Sequence, residues 1–304
     1  MMKDKLTANT KVKRNSFFSL STKENFKIYW YKFSRNKLSI TGLILVLTSI
    51  FLAIFAPVIT PFPQHVKAFV DFANANMSPN STYLFGTDVF GRDIFTRVIF
   101  SFRGALMMSV IVLGIAVPIG VTLGLVAGYY NSSLFGNIIM RLTDIFLALP
   151  KLVLALAVAA VLTPNLTNSM IALIVAWWTW YARMIYGMAV TLSKEYFVKS
   201  AELIGASKVH ILFREILPNC LSPIATKMAL DVGWVILIGA TLSFVGLGAQ
   251  PPEPSFGQLI ADGSRYMPDL WWMTIFPAFG IAFIIMGFNF FGDGVRDMLD
   301  RGKQ

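Results

Sequence analysis

The chain has 304 residues, of which 56% are hydrophobic and only 14% charged, and its mean hydropathy is +0.64. Soluble domains carry about 25% charged and about 45–50% apolar residues, so an ordinary soluble enzyme is excluded and lipid is the expected solvent for most of the chain. On a soluble protein the formal charge of +10 would suggest nucleic acid; on a membrane protein it reports where the cytoplasm lies. A single cysteine, Cys220, excludes an internal disulfide framework and a multi-cysteine metal site.

The first 37 residues hold ten lysines and arginines against only Asp4 and Glu24. Near the end of this tail Phe26, Tyr29, Trp30, Tyr31 and Phe33 interleave with Lys27, Lys32 and Arg35, a pattern that predicts a helix lying along the membrane surface. Charge-free runs then set the spans, because roughly 20 apolar residues cross a bilayer. The first, over residues 38–60, reads as an anchor and not a cleavable signal, since a basic tail precedes it and no small-residue cleavage site follows. The second covers 105–128, and the third covers 145–162 with Lys151 near its start. A polar turn over 163–168 leads into the fourth, 169–188, which carries Arg183; the fifth covers 222–247 and the sixth 270–293.

The expected fold is therefore an all-α integral membrane protein with six transmembrane helices. It divides into a basic tail over 1–37, a first helix over 38–60, an extracytoplasmic loop over 61–104 and a five-helix core over 105–304. An even number of spans leaves both termini on one side. That side receives 18 of the 26 basic residues and the other side five, which assigns the termini to the cytoplasm.

The connection over 191–221 falls on the same basic side. Phe197, Ala201 and Ile204 share one helical face, Gly205 interrupts, and Val209, Leu212, Phe213 and Ile216 form a second apolar face before Pro218. The prediction is a short amphipathic helix, a turn, and a second amphipathic helix ended by the proline. Such a unit needs the bilayer surface or a partner protein to cover its faces.

Few charges fall inside the spans. Lys227 and Asp231, four apart, share a face of the fifth helix, where they either line a polar path for a zwitterionic solute or pair at the interface around a snorkelling lysine. Trp177, Trp178, Trp180 and Tyr181 crowd the fourth helix, and either pack the bundle or stack on solute. Before the second helix, Asp88 with Arg92 and Asp93 with Arg97 fit two i, i+4 pairs on a surface helix, alternatively a contact with an extracytoplasmic partner. His65 and His210 fall on opposite sides, so no metal site is expected between them.

The stretch Phe197-Val198-Lys199-Ser200-Ala201-Glu202-Leu203-Ile204-Gly205-Ala206-Ser207, followed by Glu215-Ile216-Leu217-Pro218-Asn219, resembles the EAA loop of ATP-binding-cassette importer permeases. The spacing from Ala201 through Gly205 to Leu217-Pro218 fits that pattern, whereas Lys199 stands at its first Glu and Glu215 at its Ile. Three more stretches resemble the C-type permease of the oligopeptide/dipeptide/nickel group: Phe85-Gly86-Thr87-Asp88-Val89-Phe90-Gly91-Arg92-Asp93, Leu242-Ser243-Phe244-Val245-Gly246-Leu247-Gly248-Ala249-Gln250-Pro251-Pro252, and Asn289-Phe290-Phe291-Gly292-Asp293-Gly294-Val295-Arg296-Asp297. Ile238-Gly239-Ala240 departs from relatives that carry an acid just before Leu-Ser-Phe.

The resemblance implies a non-catalytic translocation subunit in the cytoplasmic membrane of a bacterium or archaeon. It implies pairing with a homologous second permease, two cytoplasmic ATPases that use ATP and magnesium, and an extracytoplasmic substrate-binding protein. Lys199, Ser200, Ala201, Glu202, Gly205, Ala206, Leu217 and Pro218 would form the ATPase-coupling loop, and Lys227, Asp231, Trp177 and Trp180 are candidates for the path. Asp88, Arg92 and Asp93 are candidates for extracytoplasmic partner contact. The chain has no Gly-x-x-x-x-Gly-Lys-Ser/Thr phosphate loop, so it is expected to bind no cofactor, and no nucleic acid is needed to explain its charge. Oligopeptides or dipeptides are the expected solutes, with nickel chelates, metallophores or oligosaccharides as alternatives. A rival from another class is an autonomous secondary transporter or channel, for which Lys151, Arg183, Lys227 and Asp231 are the only intramembrane charges on offer.

Overall fold

The computed structural model describes residues 27 and 29–299. Phe26 and most of the basic tail lie outside the described residues. Helical backbone over 29–35 bends at Asn36, whose side chain accepts from the Leu38 N–H and starts α1, Lys37–Ile59. Phe33 is buried against Phe291, whereas Tyr29, Trp30 and Tyr31 stay exposed.

In α1 the buried residues are Ser39, Gly42, Val46, Ser49, Ala53 and Ala56, alternating three and four apart along one seam. Between helices in lipid, close approach of small residues replaces the hydrophobic driving force that operates in water. That seam packs on α9, Trp272–Leu299, with Gly42 set directly on the backbone of Phe290 and Phe291. Ile44, Leu47, Phe51, Ile54 and Val58 point outward.

Residues 60–93 fold onto one end of the bundle, here the upper end, as two short 3₁₀ turns, Pro63–Val66 and Phe72–Asn74, and a set of capped bends. Asp93 then caps α2, Ile94–Tyr129, by accepting from the Thr96 N–H and hydroxyl. With 36 residues this helix is about 54 Å long, well beyond an apolar core of about 30 Å, so its end projects past the lower end of the bundle. Gly120, Gly124 and Gly128, four apart, let it lie against the backbone of α5, Leu166–Leu192.

The third predicted span is the main correction to the fold. Residues 145–162 are not one helix: α3, Leu134–Leu147, meets α4, Lys151–Val161, at a bend of 90°. Pro150 disfavours helical backbone at Leu149 and ends α3 there. With 11 residues, α4 is about 16 Å long, roughly half the apolar thickness.

A second correction concerns Pro218. It does not end a helix; helical backbone runs from Lys208 to Phe244 as α7, with a π segment at Ile211–Ile216 just before the proline. A mid-helix proline removes one N–H and crowds the carbonyl four residues back, and a widened turn there takes up both defects. Between α5 and α7 lies α6, Tyr196–Leu203; between α7 and α9 lies α8, Phe256–Ser264, which the sequence pattern did not suggest. Gly257 of α8 sits on the Ala240 backbone, wedging this short helix against α7.

By length and composition four helices, α1, α2, α7 and α9, can cross a membrane, and a fifth is added when the bent α3–α4 pair is taken as one. The 27-residue α5 is long enough, but Trp177, Trp178, Thr179, Trp180, Tyr181 and Arg183 lower its hydropathy. Its inner face is enclosed, with Trp177, Tyr181, Ala182, Ile185 and Ala189 fully buried against α2, α4 and α7.

Candidate functional site

Two regions carry the sequence-predicted residues, one at the lower end and one inside the bundle. At the lower end, α6 hangs below the projecting end of α2. The Tyr129 hydroxyl donates to Glu202 Oε1 at 2.8 Å, and Lys199 Nζ donates to Oε2 at 2.9 Å. Lys199 first and Tyr129 second hold the Glu202 carboxyl below its ordinary range. Lys199 is thus turned toward its own helix and occupies an edge of the surface.

The buried face of α6 is Val198 and Ala201, not the predicted Phe197, Ala201 and Ile204. A 3.6-residue repeat fits both stripes, and the contact with Ile211, Leu212 and Ile216 of α7 selects the first. Leu203 and Ile204 are consequently 87% and 85% exposed, flanked by exposed Tyr196 and Val209. Gly205 follows at φ +82°, where L side chains are strained, and an added Cβ would meet nothing within 4 Å. Its N–H and that of Ala206 bond back to the carbonyls of Glu202 and Ala201, closing the helix C terminus. Ser200 and Ala206 border the same turn, while Leu217 and Pro218 lie more than two helical turns into α7.

Inside the bundle, the Lys227 ammonium lies 3.0 Å from Asp231 Oδ2, and the Tyr181 hydroxyl donates to that oxygen at 2.8 Å. The Asp231 side chain is 5% exposed and that of Lys227 23%, and both line one cavity. Lys227 also lies over the rings of Trp180 at 5.8 Å and Tyr181 at 5.2 Å. Lys151, first residue of α4, places its ammonium 4.4 Å from the Trp177 ring centroid and 4.6 Å from that of Trp180. The break at Pro150 is what delivers this lysine to the tryptophans. A cation at a helix N terminus works against the helix dipole, and the ring faces offset that by about 0.5–2 kcal/mol each.

The four path candidates therefore do come together, joined by Lys151 and Tyr181. Trp177 is fully buried with its indole N–H unpartnered, whereas Trp180 is half-exposed. From Lys227 and Asp231 a cavity of about 690 Å³ runs past Trp234 and Thr226 to Asn219, Ser222 and Arg296 at the lower end. Elsewhere Arg183 bridges α5 to α3 through Asp144 at 3.2 Å, with both side chains half-exposed.

The upper cluster is not a salt-bridged surface helix. Asp88 and Arg92 form an ion pair at 2.6 Å, but in a turn ahead of α2, and both are buried. Asp93 is spent as the cap of α2 and, among the described residues, pairs with no arginine. Arg97, fully buried, donates to the backbone carbonyls of His65 at 3.2 Å and Pro252 at 3.4 Å. His65 stacks between Phe62 and Phe69 and accepts the Asp93 N–H at Nδ1, 3.0 Å. Burial lowers the His65 pKa and raises that of Asp93. These groups clamp residues 60–93 to the 251–252 segment and leave Asp88, Arg92 and Asp93 largely buried within the chain.

Apolar helices enclosing a cluster of charges and aromatic rings define a multi-pass membrane protein. The sequence matches the binding-protein-dependent transport system inner membrane component family over residues 120–304, and the N-terminal transmembrane domain of oligopeptide transport permease C over 25–79. The dipeptide transport system permease protein of Alkalihalophilus pseudofirmus is 38% identical over 88% of this chain and 86% of its own length. The probable D,D-dipeptide transport system permease protein of Escherichia coli is 36% identical over 91% of this chain and 93% of its own. The glutathione transport system permease protein of Pectobacterium atrosepticum is 34% identical over 92% of each. The fold is similar to that of the MetNI methionine ABC transporter in an inward-facing conformation, with a TM-score of 0.50 at 16% identity, covering 68% of this chain and 94% of that one. The chain belongs to the inner-membrane permease family of ABC importers, in its C-type branch.

Proposed function

We propose that this chain is the translocation subunit of an importer for di- and oligopeptides, driven by ATP hydrolysis on separate subunits. The relatives named for peptide transport support the solute class. In this reading α5 and the bent α3–α4 pair complete six spans, both termini face the cytoplasm, and α6 with its Gly205 turn lies there too. A homologous permease completes the path, two ATPases bind ATP and magnesium, and an extracytoplasmic binding protein delivers the peptide.

The observation that carries the coupling role is the exposure of Leu203 and Ile204 beside Gly205 on a helix otherwise fixed to α2 and α7. Apolar side chains that the chain leaves uncovered next to a tight turn fit a groove on a partner protein. Closure of the ATPase pair would push on α6, and the Tyr129–Glu202 and Val198–Ala201 contacts would pass that push to α2 and α7.

Reconstitution of the purified complex in liposomes tests the reading. Peptide uptake should require ATP, both permeases, the ATPases and the binding protein. Solute movement by this chain alone down an ion gradient would overturn it.

A further inference from the structure

Two ammonium groups and one carboxylate meet in the interior cluster, and the carboxylate is already committed. Asp231 takes Lys227 on both oxygens, at 3.2 and 3.0 Å, and the Tyr181 hydroxyl on one of them. Lys151 has the faces of Trp177 and Trp180 but, among the described residues, no carboxylate within ion-pair distance. The cluster thus keeps one uncompensated positive charge inside an apolar bundle, beside an indole N–H with no acceptor on Trp177. Lys151 is only partly buried, and its neighbour Lys227 lines the cavity that opens to the lower end. An unbalanced intramembrane charge is costly and is kept where something passing supplies the counter-charge.

We infer that Lys151 is the anion-binding group of the path and takes the C-terminal carboxylate of the peptide in transit, with the half-exposed ring of Trp180 receiving the last side chain. Lys227, Asp231 and Tyr181 form a self-neutralised unit that keeps Lys151 from collapsing onto Asp231. The inference rests on the proposed peptide importer.

The test is inhibition from the lower side, which bypasses the selectivity of the binding protein. The complete importer is reconstituted with that side facing the lumen, and the liposomes are loaded with acetyl-Ala-Ala or with acetyl-Ala-Ala amide at millimolar concentration. Peptide uptake is then measured. The acid should inhibit wild type about tenfold more strongly than the amide, the worth of one charge-assisted hydrogen bond. Lys151→Gln should abolish that difference and Lys151→Arg should keep it, with both variants co-purifying with their partners. Equal inhibition by acid and amide in wild type, or a difference that survives in Lys151→Gln, overturns the inference. A Lys151→Gln complex that fails to assemble leaves Lys151→Arg and the wild-type comparison to decide. Liposomes with and without phosphatidylglycerol should give the same difference; its loss in the anionic ones would assign Lys151 to a lipid headgroup instead. If wild type imports no peptide at all, the importer reading itself fails, a result distinct from any of these.

Discussion

The phenol of Tyr129 and the carboxylate of Glu202, 73 positions apart, meet in a 2.8 Å hydrogen bond that ties the last turn of α2 to α6. Lys199 of its own helix and, at longer range, the charge of Lys208 on α7 also hold Glu202, and among the described residues the tyrosine is its one side-chain hydrogen bond to another element. Tyr129→Phe removes that link while leaving the buried Val198–Ala201 contact. Peptide uptake per ATP hydrolysed should fall severalfold, with assembly intact; an unchanged ratio would show that the apolar contact alone transmits the push. Because the Glu202 carboxyl is held below its ordinary range, its contribution is present above an unfolded value of about 4.3 and is lost as pH falls through the lower folded value. The variant should move that loss to higher pH, measurable by NMR titration of the carboxyl.

Gly205 supplies the turn through its backbone alone. With φ at +82° and open space around an added Cβ, Gly205→Ala costs about 1 kcal/mol of local strain and no clash. Asn tolerates this backbone region and Val does not, so coupled uptake should rank Gly above Asn, Asn above Ala, and Ala above Val. Membrane insertion should be unchanged throughout. If Gly205→Val transports normally, the turn has no part in coupling.

Lys199→Glu should be milder than any of these. It sets two carboxylates three apart on an exposed helix face, a penalty of about 0.2–0.5 kcal/mol. An uptake assay in which Lys199→Glu is more damaging than Gly205→Val would mean that the charge at this edge, and not the turn, governs docking.

Much of the fold was legible because apolar runs and their interruptions are local. The first, second, fifth and sixth spans fall on α1, α2, α7 and α9, and the polar turn over 163–168 became Asn165 capping α5. The break in the third span was also legible in principle, in Leu149-Pro150, but an unbroken apolar run outweighed a single proline. Periodicity could not choose between the Val198 and Phe197 stripes of α6, because the choice is made by residues of α7. Nor could it place Lys151 against Trp177, since that contact depends on the direction α4 takes after the bend. For the interior site, the sequence provided the list of intramembrane charges, and the fold decided which of them share a carboxylate.

At the upper end, His65 sets a pH dependence with a definite sign. Burial keeps its imidazole neutral, and Nδ1 accepts the Asp93 N–H, so protonation breaks the bond that holds the start of α2. With a folded pKa below the ordinary imidazole value of about 6.5, its contribution is complete above about pH 6.5 and declines as pH falls from there toward the folded value. Asp93, raised by burial, runs the other way, losing its contribution as pH rises through its own higher folded value. The two separate in His65→Gln, which keeps an acceptor but does not titrate. Resistance of wild type to thermal unfolding should weaken as pH falls below about 6.5, and the variant should lose that slope. An identical slope in both would place the titration elsewhere.

The interior pair makes the sharpest demand on energetics. Asp231→Ala would leave Lys227 and Lys151 together without a carboxylate, and breaking a buried ion pair costs about 3 kcal/mol or more. Lys227→Met alone leaves Asp231 buried with Tyr181 but keeps Lys151 near enough to supply a positive charge, so it should be the milder single change. Replacing both, Lys227→Met with Asp231→Leu, removes the two opposite charges at once. The double variant should recover most of the stability lost in Asp231→Ala, measured by thermal aggregation of the purified complex, because an apolar pair of similar volume is as stable as the ion pair it replaces. Transport, by contrast, should not recover, since the cavity that Lys227 and Asp231 line then loses both of their charges. Recovery of both would reduce the pair to a packing element, and recovery of neither would mean that Lys151 depends on Asp231 even in the folded resting state.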